Sequence, residues 1–384
     1  MDFELTNEQK LFQQTVREFS DKVIAPEARD RDRTHEFPWP IIKQMGELGL
    51  LGIYYPEEYE GAGADTMSYA IAIEEIARND GSLALTVAAH NSLGCGPIYY
   101  FGSDEQKHEW LPKLCSGKML GAFGLTESGA GSDAGGTQTT AVLDGDQWVI
   151  NGSKIYCTSG RIAGVTTITA KTPGRGDGKT ISSFIVPNGT PGYEYGKDED
   201  KMGLRSSVTS PLYFHDVRIP KENLLGDEGG GFKQFMQILD GGRISIGAMA
   251  LGLGVGALNV ALKYAKERVQ FGQPISSFQA IQFKLADMAT ELEAARWLLW
   301  RAAWLKDQHR SFAQAAAMGK LYASEAAERA CHAAIQICGG MGYTSEMPVE
   351  RMYRDVRLTE IGEGTSEIQR IVISRALLRD AKNY

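Results

Sequence analysis

Cysteine is scarce in this chain and poorly placed for pairing. Cys95, Cys115, Cys157, Cys331 and Cys338 are odd in number and form no CxxC motif. They argue against a disulfide framework and for a reducing compartment. The six histidines lack HxxxH or HExxH spacing, so neither a structural nor a catalytic metal is predicted. Positive charge is also in deficit. A net charge of −8 and a pI near 5.4 argue against nucleic acid or an anionic membrane surface as the main partner. The 40 Lys and Arg can still gather locally around an anionic ligand. No apolar run reaches the length of a membrane span. The longest, from about Ala248 to Leu262, is interrupted by Asn259, is rich in glycine and reads as a buried helix. Within it, Gly252 and Gly256 would let a second helix pack closely. The N-terminal Met1-Asp2-Phe3-Glu4-Leu5 is acidic and carries no signal-peptide pattern.

What is present is an ordinary soluble composition, 43% hydrophobic and 23% charged, spread over 384 residues. That length predicts two or three domains rather than one core. From Thr6 to about Leu120 the pattern is helical. Thr6 with Gln9 can cap a first helix whose Phe12, Val16, Phe19 and Val23 fall at 4-3-4 spacing, and Ser103 with Gln106 marks another helix start. From Gly121 to about Gly230 the signals turn to strand. Thr137 to Leu143 and Gln147 to Ile150 flank Asp144-Gly145-Asp146, and Asn151-Gly152 precedes Ser153 to Thr158, which predicts two adjacent hairpin turns. Val165 to Lys171, Ile181 to Val186 and Leu212 to Val217 add further strands. The connections are too short for crossover helices, so antiparallel pairing is expected. After Gly226-Asp227-Glu228-Gly229-Gly230-Gly231 the chain is helical again, with long helices from about Gly231 to Arg268, Ser277 to Gln308 and Ser311 to Cys338. Gly339-Gly340-Met341-Gly342 is a helix stop.

Several short motifs carry chemistry or its imitation. Gly129-Ala130-Gly131-Ser132-Asp133-Ala134 satisfies the dinucleotide pattern, but paired strands follow it instead of a crossover helix. A flexible turn has comparable weight, although this loop's backbone N–H groups and hydroxyls could bind a flat heterocycle or phosphates. Pro173 to Thr180 nearly matches a P-loop with proline in place of the first glycine, and reads as an exposed hairpin. Asp198 to Met202 fails as a calcium loop because Met202 replaces an oxygen ligand. Asp240-Gly241-Gly242-Arg243 opens a hydrophobic helix, either as capping and dipole chemistry or to recognise a polar ligand. Arg268-Val269-Gln270-Phe271-Gly272 and Gln279 carry the same ambiguity. In Gly362-Glu363-Gly364-Thr365-Ser366-Glu367-Ile368-Gln369-Arg370, a carboxylate stands between two glycines ahead of a helix start. Ser366 with Gln369 fits a capping box, and Ile368, Ile371, Val372 and Leu378 continue an apolar stripe. The reading is divided between a solvated turn and a general base facing an enclosed substrate.

Together these segments resemble the acyl-CoA dehydrogenase family, essentially end to end. The pieces stand in family order: Leu125 to Asp133, Asn151-Gly152-Ser153-Lys154, Asp240 to Arg243, Glu267 to Gly272, Gln336 to Tyr343, and Gly362 to Arg370. The likeness is greatest to short-chain, butyryl-CoA-type members. It implies a multidomain α+β fold: an N-terminal α-helical domain (1–120), a central antiparallel β domain (121–230) and a C-terminal four-helix-bundle domain (231–384), with FAD held between them. By resemblance, Phe123, Leu125, Thr126, Tyr156 and Thr158 surround the flavin, and Ser132 lies near the flavin phosphates and the bound CoA. Arg268, Phe271, Gln279, Gln336, Gly339 and Gly340 contact FAD across a subunit interface, with Thr365 and Glu367 also on the cofactor. A homo-oligomer follows, usually a tetramer. Asp240, Arg243 and Gly364 contact the acyl-CoA.

The implied chemistry is α,β-dehydrogenation of a short-chain acyl-CoA to a trans-2-enoyl-CoA. Glu363 takes the α-proton, FAD accepts the β-hydride, and an electron-transferring flavoprotein is the acceptor. The location implied is the cytoplasm or, for a processed chain, the mitochondrial matrix. Rival readings are an acyl-CoA oxidase, which generally carries an extra C-terminal domain, and a non-catalytic acyl-CoA-binding relative. A nicotinamide dehydrogenase fails on its missing βαβ unit. Two departures bear on substrate. Relatives of the isovaleryl and long-chain types carry the base where Gly242 stands here, which leaves Glu363 as the candidate. Short- and medium-chain members usually have tyrosine where this chain has Gly362, which predicts room for a branched or bulkier short acyl group.

Overall fold

A computed structural model describes residues 4–173 and 180–379. Its first helix, α1 (Asn7–Phe19), begins with the capping box read from the sequence. Gln9 N donates to Thr6 Oγ1 at 3.2 Å, and Thr6 N donates to Gln9 Oε1 at 3.1 Å. Phe12, Val16, Phe19 and Val23 turn one stripe into the core. Then follow α2 (Ala28–Thr34), α3 (Trp39–Glu47), α4 (Thr66–Ala77), α5 (Gly81–Ala89), α6 (Gly96–Phe101) and α7 (Asp104–Cys115). Asp65 and Asp80 cap the buried helices α4 and α5, and Ser103 with Gln106 forms the expected box at α7.

The central strands are β1 (Gly121–Gly124), β2 (Thr140–Asp144), β3 (Gln147–Thr158), β4 (Val165–Thr172), β5 (Thr180–Pro187), β6 (Tyr193–Tyr195), β7 (Thr209–Pro220) and β8 (Leu224–Leu225). They form one sheet in the order β6-β7-β3-β2-β4-β5-β8, with β1 beside β4. Most pairs are antiparallel, as the short connections require. Two are parallel: β1 with β4, where Phe123 faces Thr167, and β2 with β4 at Thr140 and Lys171. The chain between β1 and β4 is long, and the β2–β3 hairpin within it serves as the crossover that a helix would otherwise supply.

The turn at Asp144-Gly145-Asp146 joins β2 to β3 as predicted. The second predicted turn does not form. Asn151-Gly152 lies inside the continuous strand β3, at a register shift against β7. Gly152 takes φ of 144°, and a Cβ there would meet the Thr139 Cα at 2.7 Å. Asn151 exchanges bonds of 2.9 Å with the backbone and carboxylate of Asp216. The dipeptide bends a strand instead of ending it, as a β-bulge does. Of the Pro173 to Thr180 segment, residues 174–179 lie outside the described residues; Thr172 and Thr180 pair across its base.

The last third contains α8 (Gly231–Glu267), the short strands β9 (Val269–Gln270) and β10 (Gln273–Pro274), then α9 (Gln279–Asp307), α10 (Ala313–Cys338), α11 (Pro348–Val356) and α12 (Ser366–Arg379). Among the described residues α8 is the one helix long and apolar enough to cross a membrane, but most of that stretch is buried inside the protein. Glycines set its neighbours. A Cβ at Gly252 would overlap the Glu74 carbonyl oxygen and approach the Ala77 Cβ to 2.6 Å, so α4 packs backbone to backbone there. Gly247 faces Lys320 and Leu299, and Gly254 faces Ala327 and Leu292. The register therefore runs forward along α10 and backward along α9: α8 is parallel to the first and antiparallel to the second.

Candidate active site

Between α11 and α12 the chain turns through Gly362-Glu363-Gly364. Glu363 has φ of 52° and Gly364 has φ of 91°. A left-handed glutamate is strained, and such strain persists only where the surroundings over-determine it. The surroundings here are explicit. Lys320 Nζ donates to the Gly364 carbonyl at 2.7 Å, and Gln369 Nε2 donates to the same oxygen at 2.8 Å and to the Glu363 carbonyl at 3.3 Å. The Ser366–Gln369 capping box does not form. Helix α12 starts at Ser366, so the cap falls to Thr365, whose hydroxyl accepts from Ile368 N at 3.3 Å. Gln369 is committed to the turn's carbonyls, and the buried Ser366 hydroxyl has no partner among the described residues. Of the expected apolar stripe, Ile371 and Leu378 are exposed.

The Glu363 side chain reaches across to α8 at Gly242. Any Cβ at position 242 would overlap the carboxylate oxygen Oε2. The residue as a whole is partly exposed, whereas Oε2 is shut away from solvent and accepts no hydrogen bond among the described residues. Burial pushes this carboxyl up to about 7, against the pull of Lys320 and Arg243. Asp240 to Arg243 does not open a helix. It lies in the interior of α8, where Arg243 Nη1 pairs with Asp240 Oδ1 one turn away and is itself buried. Capping chemistry is thereby excluded for these two residues.

A second group of predicted residues gathers at the ends of β1 and β3. Ile155 N donates to the Thr126 carbonyl at 2.8 Å, which sets Leu125 and Thr126 beside Tyr156 and Thr158. Phe123 stacks on Phe235 of α8, ring centroids 4.0 Å apart. Tyr156 is exposed and left-handed, with φ of 57°. The loop beyond β1 is anchored by Glu127. Its carboxylate accepts from Lys154 Nζ at 2.7 Å, Thr139 Oγ1 at 2.7 Å, Gln138 N at 2.5 Å and the Thr137 hydroxyl. Burial opposes ionisation, but these bonds outweigh it and hold the carboxyl down to about 2. Within this frame Ser132 is exposed, and no helix follows it of the kind a Rossmann turn requires.

A third group lies at the far end of the helical bundle. Arg268, Phe271, Gln279, Gln336, Gly339 and Gly340 are all exposed. The parallel register of α8 and α10, and the antiparallel one of α9, bring them to the same end. About 25 helical residues separate Arg243 from Arg268, ~38 Å along the axis. One chain therefore does not bring this group to Glu363.

Family signatures match nearly the whole chain: "Acyl-CoA dehydrogenase, N-terminal domain" over residues 6–118, the "middle domain" over 122–217 and the "C-terminal domain" over 229–378. The chain belongs to the acyl-CoA dehydrogenase family. It is 51% identical to the mitochondrial short-chain specific acyl-CoA dehydrogenase of Rattus norvegicus, over 99% of this chain and 92% of the relative. It superposes on butyryl-CoA dehydrogenase from Megasphaera elsdenii with a TM-score of 0.96 at 45% identity, covering 99% and 100% of the two chains. A chain from the solved structure "Electron transferring flavoprotein of Acidaminococcus fermentans: Towards a mechanism of flavin-based electron bifurcation" gives 0.97 at 49% identity, covering 99% and 100%.

Acyl-CoA dehydrogenases carry FAD, and the residues present here fit it. The N–H groups of Ser128, Gly129, Gly131 and Ser132 make no hydrogen bond within the chain among the described residues. Nothing lies within 4 Å of where a Cβ on Gly129 or Gly131 would stand. Such a loop offers donors to phosphate oxygens, and the open ends of β1 and β3 beside it offer a surface for a flat ring. Sequence reading assigned no role to Lys320, Glu127 or Lys154. The one available signal for Lys320 is a lone cation in the run Ala315-Ala316-Ala317-Met318-Gly319-Lys320-Leu321.

The Lys154→Met enzyme leaves Glu127 buried without its counter-charge. It is expected to lose about 3–5 kcal/mol of stability and to retain less FAD on purification. Urea unfolding followed by fluorescence, with the flavin content of the folded fraction, checks this; wild-type values for both would refute the anchoring role.

Proposed function

We propose that this acyl-CoA dehydrogenase oxidises a short-chain acyl-CoA, with Glu363 as the base that removes the α-proton. The observation that carries the reading is the placement of Oε2: buried, unpartnered among the described residues and aimed at a glycine. A carboxylate with an oxygen that is neither paired nor solvated is a stronger base than one wholly in water, and its raised pKa moves toward that of the weakly acidic α-carbon. The oxyanion that develops at the thioester needs donors aimed at it. The Glu363 backbone N–H makes no hydrogen bond within the chain among the described residues, so it is free for that oxygen. Bound FAD supplies the acceptor for the β-hydride. Phe123, Leu125, Thr126, Tyr156 and Thr158 would hold its ring, and Ser132 would lie near its phosphates and the bound CoA, with Thr365 and Glu367 contributing beside the base. Asp240 and Arg243 would meet the acyl-CoA near the thioester with Gly364.

Glu363→Gln is expected to give a folded, yellow protein whose flavin acyl-CoA no longer bleaches. In the wild type a base must be ionised to act, so kcat/KM should fall as pH drops through about 7. Anaerobic stopped-flow absorbance from pH 5.5 to 9 tests both. Reduction by the Gln variant near the wild-type rate would remove Glu363 from this role.

The acyl group accepted is proposed to be short and tolerant of a branch. A Cβ at Gly362 would meet nothing nearer than 3.5 Å, and its three nearest neighbours would all be atoms of Leu358 at ordinary contact distance. That is room which an aromatic side chain would fill. Butyryl-, isobutyryl-, 2-methylbutyryl- and octanoyl-CoA should be ranked by kcat/KM, in the wild type and in Gly362→Tyr. The branched substrates should lose at least about tenfold in the tyrosine variant, a cost of the order reached by filling a pocket. A clear wild-type preference for octanoyl-CoA would overturn the short-chain reading.

The exposed group of Arg268, Phe271, Gln279, Gln336, Gly339 and Gly340 is proposed to bind the FAD of a second copy in a homo-oligomer, probed as a tetramer. Electrons are proposed to leave to an electron-transferring flavoprotein, a reading supported by the likeness to the chain from the Acidaminococcus fermentans electron-transferring flavoprotein structure. Arg268→Ala with Gln279→Ala should lower FAD retention while leaving helix content intact. Sedimentation velocity of the wild type should give a species larger than the monomer; a monomer carrying full FAD would refute the shared site.

A further inference from the structure

We infer that Lys320 is a positioning residue for the catalytic turn: it clamps the Gly364 carbonyl and supplies the positive charge beside which Glu363 ionises in a dry site. The inference rests on Glu363 being the base.

Lys320 has no exposed surface and sits among the alanines of α10. An ammonium is costly to bury, and an apolar side chain of similar length would fill the same space without that cost. Among the described residues its ammonium makes one hydrogen bond, to the Gly364 carbonyl at 2.7 Å, and has no carboxylate oxygen within ion-pair distance. With Gln369 Nε2 at 2.8 Å, two donors occupy the same carbonyl oxygen and so fix the Gly364–Thr365 peptide, while Gln369 also reaches the Glu363 carbonyl at 3.3 Å and ties in the peptide directly after the left-handed residue. Held in this way, the turn that carries Glu363 keeps its carboxylate against Gly242.

Charge is the second half of the role. From α10 the carboxylate of Glu363 faces Lys320; from α8 it faces Arg243; from α4 it is felt by the buried hydroxyl of Tyr69. Lys320 in turn feels Glu363, Arg243, Glu360 and Glu367. Arg243 is already paired with Asp240. Lys320 is therefore the nearby cation whose charge is not directed at another carboxylate. Burial pushes its ammonium down to about 8 while Glu363 pulls the other way. A direct Lys320–Glu363 pair would make the carboxylate too weak a base. Attached to the neighbouring carbonyl instead, the cation favours the ionised base without neutralising it.

The test uses the full-length holoenzyme with butyryl-CoA. Lys320→Gln retains a donor for the Gly364 carbonyl but not the charge; Lys320→Met retains neither. Both should move the acid limb of anaerobic flavin reduction upward by about one pH unit, which slows reduction about tenfold at pH 6. At pH 9 the Gln variant should recover the wild-type rate, while the Met variant stays slow because its turn is loose. FAD content and thermal midpoint confirm that each is folded. If Lys320→Met does not fold, Lys320→Gln decides alone. A Gln variant with the wild-type acid limb overturns the charge role, and a Met variant that matches wild type at pH 9 overturns the clamp. Glu363→Gln, run alongside, separates the readings: if it still reduces its flavin, the base assignment fails; if it is inactive while the Lys320 variants behave as wild type, only the present inference fails.

Discussion

Helix α8 can occupy the middle of this protein because it lacks side chains where its neighbours press closest. At Gly252 and Gly256 the backbone of α4 and the residues after it approach so near that a Cβ would overlap carbonyl oxygens, and at Gly247 and Gly254 the helices α9 and α10 close in. Backbone contact of this kind leaves little freedom to slide, since packed interiors deform in steps and not continuously. Gly242 continues the same logic, except that the occupant is the carboxylate of Glu363. The position of the proposed base is thus decided by the packing of a helix more than a hundred residues earlier in the chain.

Two buried carboxylates show how the same physics yields opposite results. Desolvation works against the charge of both Glu127 and Glu363. Glu127 recovers the loss through Lys154 and a ring of hydroxyl and amide donors, is held to about 2, and fastens a loop. Glu363 has a cation nearby but no hydrogen-bond partner on Oε2 among the described residues, and is raised to about 7. Neither composition nor charge count distinguishes them. The difference lies in whether donors converge on the oxygens.

The bundle also separates two groups of candidate residues by length. Glu363, Gly242, Arg243 and Lys320 lie toward one end of α8 and α10. Arg268 and the glycines after α10 lie at the other, exposed. The parallel run of α8 and α10 creates this division, because equal steps along both helices keep each set of residues level. A homo-oligomer sharing FAD between copies is the proposal that gives the far end a role.

Much of this was legible in the sequence because it is local. Thr6 with Gln9 and Ser103 with Gln106 specify their caps within four residues, the glycines at 339 and 340 stop α10, and the periodicity from Gly231 onward gives α8 nearly to its last residue. The glycine-flanked Glu363 and the ordered motifs identified the family and the candidate base. Pairing across long separations was not legible. The Asn151-Gly152 step looks like a turn until Thr139 and Asp216 show it to be a bulge, and the parallel contact of β1 with β4 depends on a hairpin folding between them. Asp240 and Arg243 look like a helix start, yet the helix begins nine residues earlier. Lys320 is one lysine among 40 Lys and Arg until α10 lies against the turn after α11. Sequence by itself determined most of the elements, the family and the candidate base, since capping, periodicity and turn chemistry act over a few residues. Only the tertiary structure decided which carboxylate is paired and which keeps a buried oxygen without a partner among the described residues, because hydrogen-bond partners and burial are set by segments the chain brings together from far apart.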